Sequence, residues 1–170
     1  MKIPSVDPAF ACRRVGRIDN DFQAFFDTAA LDAILAHSRS RTDRSVGGIL
    51  IGAFGSHSRM PFIRVEGYAE APRGVGSNSG FKMPGEAWAD ITLAMEEKWP
   101  AKMMVGWHYS HIGAGASLTQ ADLEFHKAYF GQPWQIAMVS DPIREMHGVY
   151  RWKDKFISET GFFVVDKANS

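Results

Sequence analysis

Gly106-Trp107-His108-Tyr109-Ser110-His111 runs into a loop carrying Gly113 and Gly115 and then into Thr119-Gln120-Ala121-Asp122. The order is a strand ending in histidine, a tight glycine loop, and a hydroxyl with a carboxylate opening a helix. A catalytic zinc takes three protein ligands, histidine nitrogen or carboxylate oxygen, and keeps the fourth position for water. Side chains two apart on a strand share a face, so Tyr109 and His111 point together while His108 and Ser110 point the other way. His111 and Asp122 can then supply two ligands, and Tyr109 stands where a third is needed. A phenol with an ordinary pKa of about 10 must lose a proton to bind well, and its longer ring crowds the metal. Thr119-Gln120-Ala121-Asp122 also fits a hydroxyl-x-x-acid capping box, which needs no metal at all. His126 shares a helical face with Asp122 but sits a full turn deeper, beside the site rather than in it.

Working outward, Val46–Phe54 is a continuous apolar and glycine run, the pattern of a strand buried on both faces. Phe62–Ala71 alternates as the next strand, reached through the turn-rich Gly55–Pro61. Upstream, Phe22–Phe26 reads as a short strand, and Asp27 or Thr28 caps a helix with Leu31, Ile34 and Leu35 at helical spacing. Arg73–Gly80 has nothing to bury and reads as flexible. Its Gly74-Val75-Gly76 lacks the Gly-Lys-Ser/Thr of a phosphate loop. Pro84-Gly85-Glu86 opens a second helix with Trp88, Ile91, Met95 and Trp99 on one face, stopped by Pro100. Lys102–Ser110 is a strand and Gln120–Phe130 a third helix. Trp134–Ser140, Met146–Trp152 and Phe156–Val165 complete the β content. These elements predict an α/β fold: one domain over residues 22–170, with a curved, mixed, mostly antiparallel sheet flanked by about three helices. Residues 1–21 read as an N-terminal arm.

The chain of 170 residues is 45% apolar, enough for one core. Nineteen basic and nineteen acidic residues cancel, without the basic face of a nucleic-acid binder. Cys12 is the only cysteine, which excludes an internal disulfide and a thiolate zinc cluster. No stretch approaches the ~20 apolar residues that cross a bilayer, and Met1–Arg14 lacks the apolar run of a signal peptide. The expectation is a cytoplasmic protein with neither membrane insertion nor nucleic acid as partner.

Taken jointly, Gly-Trp-x-x-Ser-His, Gly-x-Gly and Leu-Thr-x-x-Asp, preceded by Val46-Gly47-Gly48-Ile49-Leu50-Ile51-Gly52, resemble the JAMM/MPN (Mpr1/Pad1 N-terminal) metalloprotease family. Pro133–Pro142 is similar to the strand that follows the metal loop there, and the resemblance covers roughly Phe22–Trp152. It implies that the second metal-binding histidine falls on His111, the metal-binding aspartate on Asp122 and the oxyanion-assisting hydroxyl on Thr119. It also implies that the first metal-binding histidine falls on Tyr109, and the proline after the second on Ile112. The catalytic glutamate falls on Ser45, and the nearby Asp43, Glu66 and Glu70 have the wrong strand position or face for a simple replacement. Trp107 and Ser110 carry over as binding residues.

The departures describe a degenerate motif of the MPN-minus type. General acid-base catalysis supplies about 10²–10⁴ in rate, so Ser45 alone nearly silences hydrolysis, and the loss of a ligand undermines the metal as well. The resemblance then implies a catalytically inactive domain without cofactor, serving as a scaffold or interaction subunit. Its partner would be a protein, either another MPN domain or a second copy paired through the first or second helix. The alternative is a divergent zinc peptidase or isopeptidase in which a strand bulge brings His108 round to join His111 and Asp122. In it an acid of the Glu66–Glu70 strand is the base. A third reading keeps the groove beside Arg73–Gly80 as a site for extended peptide tails.

Overall fold

A computed structural model describes residues 10–71 and 80–167. The elements run β1 (Phe10–Val15), β2 (Gln23–Asp27), α1 (Thr28–Ser40), β3 (Gly47–His57), β4 (Met60–Glu70), α2 (Gly85–Lys98), β5 (Met103–Ser110) and α3 (Gln120–Tyr129). They finish with β6 (Ile136–Asp141), β7 (Met146–Lys153), β8 (Phe156–Thr160) and β9 (Phe162–Lys167). All nine strands join one sheet in the order β1-β9-β2-β4-β3-β5-β6-β7-β8. Three pairs are parallel, β2 with β4, β2 with β9, and β5 with β6, and the rest are antiparallel. The expected α/β architecture, with its mixed sheet and three helices, is the observed one.

Curvature follows from the topology. β8 is one edge strand, β9 lies next to the other edge, and Gly161 alone separates them in the chain. The sheet must therefore curl until its ends nearly meet. Bulges on both flanks of β3, where the register slips past Glu66 on β4 and past Val105 on β5, add local twist. At the seam the Gly161 N–H donates to the Arg17 carbonyl at 2.8 Å. A Cβ on Gly161 would stand 2.6 Å from that same carbonyl group. For this reason the strand expected over Phe156–Val165 is two strands broken at Gly161.

The arm also needs revision. From residue 10 onward it belongs to the sheet, with β1 paired along β9. Asp19 and Asp21 hold the buried Arg151 of β7 at 2.8 and 2.6 Å. Residues 1–9 lie outside the described residues, as does the flexible-looking Arg73–Gly80 segment except for Gly80. The expected turn over Gly55–Pro61 is shorter than it reads. β3 and β4 run on to His57 and Met60, joined by Ser58 and Arg59, both at positive φ as a two-residue hairpin turn requires.

The core has two main parts, one on each face of the sheet. Against α1 pack Leu31 and Ile34 with Phe26, Leu50, Val65, Tyr68, Val105 and Met138. Against α2 and α3 pack Ile91 and Phe125 with Ile49, Ile51, Phe81, Trp107 and Tyr109. Trp88, Met95 and Trp99 join Ile91 on the inner face of α2, as their spacing predicts.

Gly47 and Gly48 sit at the centre of this arrangement. A Cβ on Gly47 would lie 2.3 Å from the Phe81 ring, and one on Gly48 would lie 2.7 Å from the Tyr68 ring and 2.4 Å from the Ala69 carbonyl. Each glycine lets an aromatic ring cross bare backbone on its own face. We expect Gly48→Ala to destabilise the domain by about 1–3 kcal/mol, the usual cost of overpacking a core. The measurement is urea unfolding followed by fluorescence.

Candidate functional site

Val46 brings the candidate residues together. Its N–H donates to Ser110 Oγ at 2.8 Å, and its carbonyl accepts the Ser110 N–H at 2.8 Å. Gly47 then pairs with Tyr109, which places Ser45 beside the end of β5. One residue further, the His111 N–H donates to the Ser140 carbonyl at 2.7 Å. The glycine loop is held by one buried carboxylate. Asp141 accepts from Gly113 N at 3.0 Å, Gly115 N at 2.7 Å, Ile143 N at 2.9 Å and Arg144 N at 3.2 Å. Burial pushes the Asp141 pKa up, but these backbone N–H groups outweigh it and hold the carboxyl below its usual range. Positive φ at Gly113 and Gly115 suits glycine and lets the loop turn toward Asp141.

α3 opens on the full capping box. Asp122 N–H donates to Thr119 Oγ1 at 3.2 Å and Thr119 N–H to Asp122 Oδ2 at 2.8 Å. Asp122 is wholly buried, and His111 is nearly so. His111 Nε2 lies 3.0 Å from Asp122 Oδ2, off the axis a hydrogen bond needs. Among the described residues, His111 Nε2 and Asp122 Oδ1 are buried without hydrogen-bond partners. His111, Tyr109, Ser45, Thr119 and Ile112 line a cleft of about 660 Å³ whose rim includes Asp43 and Arg44.

Ser45 and the Tyr109 phenol line the cleft side by side. Burial raises the Tyr109 pKa, the Ser45 contact partly offsets this, and the Asp122 charge raises it further. The phenol stays protonated at neutral pH. Of the three positions that the resemblance gives to metal ligands, one therefore holds an imidazole, one a carboxylate and one a neutral phenol, while Asp43 on the rim is held by both Arg41 Nε and an Arg41 terminal nitrogen. Among the described residues no group of three or more His, Cys, Asp or Glu converges. This set does not fit a catalytic zinc, which needs three anionic or imidazole ligands.

Three readings change on the structure. His108 is fully buried on the α1 face of the sheet, where its Nδ1 meets Tyr68 Oη at 3.0 Å and its Nε2 meets Ser140 Oγ at 2.7 Å. β5 is regular from Gly106 to Ser110, so no bulge turns His108 toward His111. Trp107 is also fully buried and spends its indole N–H on His126 Nδ1 at 2.9 Å, which makes it core rather than a binding surface. Ser110 is fully buried as the clamp on Val46. His126 lies behind the site, stacked on Trp152. The buried partner found for Asp122 is the Thr119 backbone.

A curled α/β sheet, a histidine-ended central strand and a capped helix after a glycine loop frame a cleft with an incomplete set of metal donors. No family model matches the chain. It is 25% identical over 132 residues to the 26S proteasome regulatory subunit rpn11 of Schizosaccharomyces pombe, covering 77% of this chain and 42% of that protein. It is 26% identical over 139 residues to the ubiquitin carboxyl-terminal hydrolase RPN11 of Saccharomyces cerevisiae, covering 78% and 43%. Against the 26S proteasome non-ATPase regulatory subunit 14 of Drosophila melanogaster it is 24% identical over 132 residues, covering 77% and 42%. The chain spans about two fifths of the length of these relatives, which are JAMM/MPN proteins and support that family for it. The solution structure of a protein from Desulfitobacterium hafniense shares the fold, with a TM-score of 0.61 at 16% identity over 86% of this chain and 94% of that one.

The buried histidines make the fold acid-sensitive. Burial lowers the His108 pKa to about 3, with His37 and His111 adding to the shift, and burial lowers that of His126 to about 4. Unfolded, both titrate near 6.5, so below that pH the unfolded chain binds more protons and stability falls with pH. Each histidine contributes a slope of roughly 1.4 kcal/mol per pH unit between its unfolded and folded pKa. Denaturant midpoints measured from pH 7 to pH 4.5 should fall steadily, and His126→Gln should flatten the slope by about half.

Proposed function

We propose that this chain is a catalytically silent MPN-like domain that works as an interaction subunit. The observation that carries the proposal is that Ser45 and Tyr109 stand together with His111 along one cleft. The position that the resemblance gives to the general base holds a hydroxyl, and the one it gives to a metal ligand holds a phenol whose pKa burial raises. His111 and Asp122 keep their places through backbone contacts of the loop and helix rather than through an ion. No resident metal or other cofactor is part of this reading.

The partner we propose is a protein, either a second copy or another MPN domain. Two of the similar proteins are named as 26S proteasome subunits, which supports a role within an assembly. The outward face of α2 carries one exposed apolar side chain, Leu93, with Asp90, Glu96 and Glu97 around it. Among the described residues no helix is long and apolar enough to cross a membrane. We propose the cytoplasm as its compartment.

The test is zinc content and peptidase activity of protein purified without added metal. We expect substoichiometric zinc and no cleavage of ubiquitin-linked or extended peptide substrates. Stoichiometric zinc with activity lost on His111→Ala would overturn the reading. Tyr109→His should raise zinc uptake without producing hydrolysis, because no carboxylate returns at Ser45. Light scattering at micromolar concentration checks self-pairing, with a mass of two chains as the supporting result.

A further inference from the structure

A chain of hydrogen bonds runs under α1, on the face of the sheet away from the cleft. Glu70 Oε2 lies 3.8 Å from His37 Nε2, and His37 Nδ1 lies 2.8 Å from Tyr68 Oη. Tyr68 Oη meets His108 Nδ1 at 3.0 Å, His108 Nε2 meets Ser140 Oγ at 2.7 Å, and Ser140 Oγ meets Ser38 Oγ at 2.8 Å. Tyr68, His108, Ser140 and Ser38 are all buried. The path crosses the central strand only because Gly48 has no side chain for the Tyr68 ring to strike. Ser38 and Ser140 line a cavity of about 140 Å³ at the far end, while Glu70 stands exposed at the near end.

We propose that these five residues form a one-way hydrogen-bond wire whose direction is set at His37, so that protonating His37 reverses it and moves the His108 hydrogen from Nδ1 to Nε2. With His37 neutral, only one direction satisfies every member. Ser38 donates to Ser140, Ser140 to His108 Nε2, His108 Nδ1–H to Tyr68, and Tyr68 to His37 Nδ1, which leaves His37 Nε2–H facing the Glu70 carboxylate. The reverse order leaves the Ser38 hydrogen without an acceptor among the described residues and turns a ring lone pair onto Glu70. A neutral imidazole has one donor and one acceptor, so the partner at one nitrogen dictates the other.

Protonation at His37 Nδ1 makes it a donor. Tyr68 must then accept there and give its hydrogen to His108 Nδ1, and the order inverts down to Ser38. The atoms balance. Tyr68, His108, Ser140 and Ser38 each give one hydrogen and take one, the added proton enters at Ser38 from the cavity, and the charge rests on His37 next to Glu70. His108 itself does not become charged, since burial keeps its pKa about 3. The titratable and charged groups around His37 are Glu70 and Tyr68 on β4, His108 on β5 and Asp141 beyond Ser140 on β6. Arg39 and Arg41 follow it in the chain, while Asp27 and Asp166 lie at the opposite end of α1. Burial lowers the His37 pKa and Glu70 raises it. The wire also reaches the cleft, because the Ser140 carbonyl accepts the His111 N–H at 2.7 Å.

Long-range proton–nitrogen correlation spectra of nitrogen-labelled protein read the tautomer directly. We expect His108 to carry its hydrogen on Nδ1 at neutral pH. It should switch to Nε2 as His37 is protonated, with the His111 amide shifting in step. Glu70→Gln, a change at an exposed side chain, should move both events to lower pH together. Tyr68→Phe should place the His108 hydrogen on Nε2 already at neutral pH and remove its response to His37. A hydrogen on Nε2 in the unaltered protein at neutral pH overturns the proposal, whether or not Tyr68→Phe folds. So does a His108 tautomer that ignores the protonation of His37.

Discussion

Bare backbone at Gly47 and Gly48 is the constraint on which both faces of the sheet depend. A strand buried on both sides normally fills its faces with branched side chains. Here two successive positions leave room instead, and each opening is taken by an aromatic ring from elsewhere in the chain. On the α2–α3 face Phe81 drops onto β3 and stacks on Trp107 at 5.4 Å between centroids. On the α1 face Tyr68 spans β3 to reach His108. The cleft and the buried wire are therefore products of one local feature, read out on opposite sides.

The same strand helps to fix the shape of the cleft. A metal can hold a loop and a helix together through its ligands, and losing it usually leaves those ligands buried and unpaired. In this chain Val46–Ser110, Asp141 and the Thr119–Asp122 box do that work with backbone hydrogen bonds. The remaining cost is local: His111 Nε2 and Asp122 Oδ1 are left without hydrogen bonds.

Much of this was legible in the sequence wherever the cause is local. The start of α3 is written in Thr119-Gln120-Ala121-Asp122, and the inner face of α2 in Trp88, Ile91, Met95 and Trp99. The pairing of Tyr109 with His111 on one face follows from strand geometry alone. What escaped depends on partners far away in the chain. β1 hides because Arg13-Arg14 interrupts its alternation and its partner β9 lies near the other end of the sequence. The break at Gly161 carries a glycine signal, but only the closure of the sheet says that it is a crossing rather than a bend. Trp107 and Ser110 looked available because motif position says nothing about burial. The role of His108 needed Tyr68 and Ser140, which are distant in sequence and meet only across β3 and β6.

The contrast between the two polar clusters is itself informative. Hydrogen bonds in a low-dielectric interior strengthen one another, and an unpaired polar atom there is correspondingly costly. Under α1 the chain pairs His37 Nδ1, both His108 ring nitrogens and the hydroxyls of Tyr68, Ser140 and Ser38, and it does so with two histidines whose charged forms are disfavoured by burial. Beside the cleft it tolerates two orphaned atoms. Well-packed apolar residues would have been the simpler filling for the space under α1, as they are along the rest of that helix. A fully paired polar chain in that place specifies the seat of α1 on β4, β5 and β6 more narrowly than greasy contact can, since each member accepts only one geometry. That narrow seat fixes Ser140, Ser140 fixes the His111 backbone, and so the order of one face underwrites the cleft on the other.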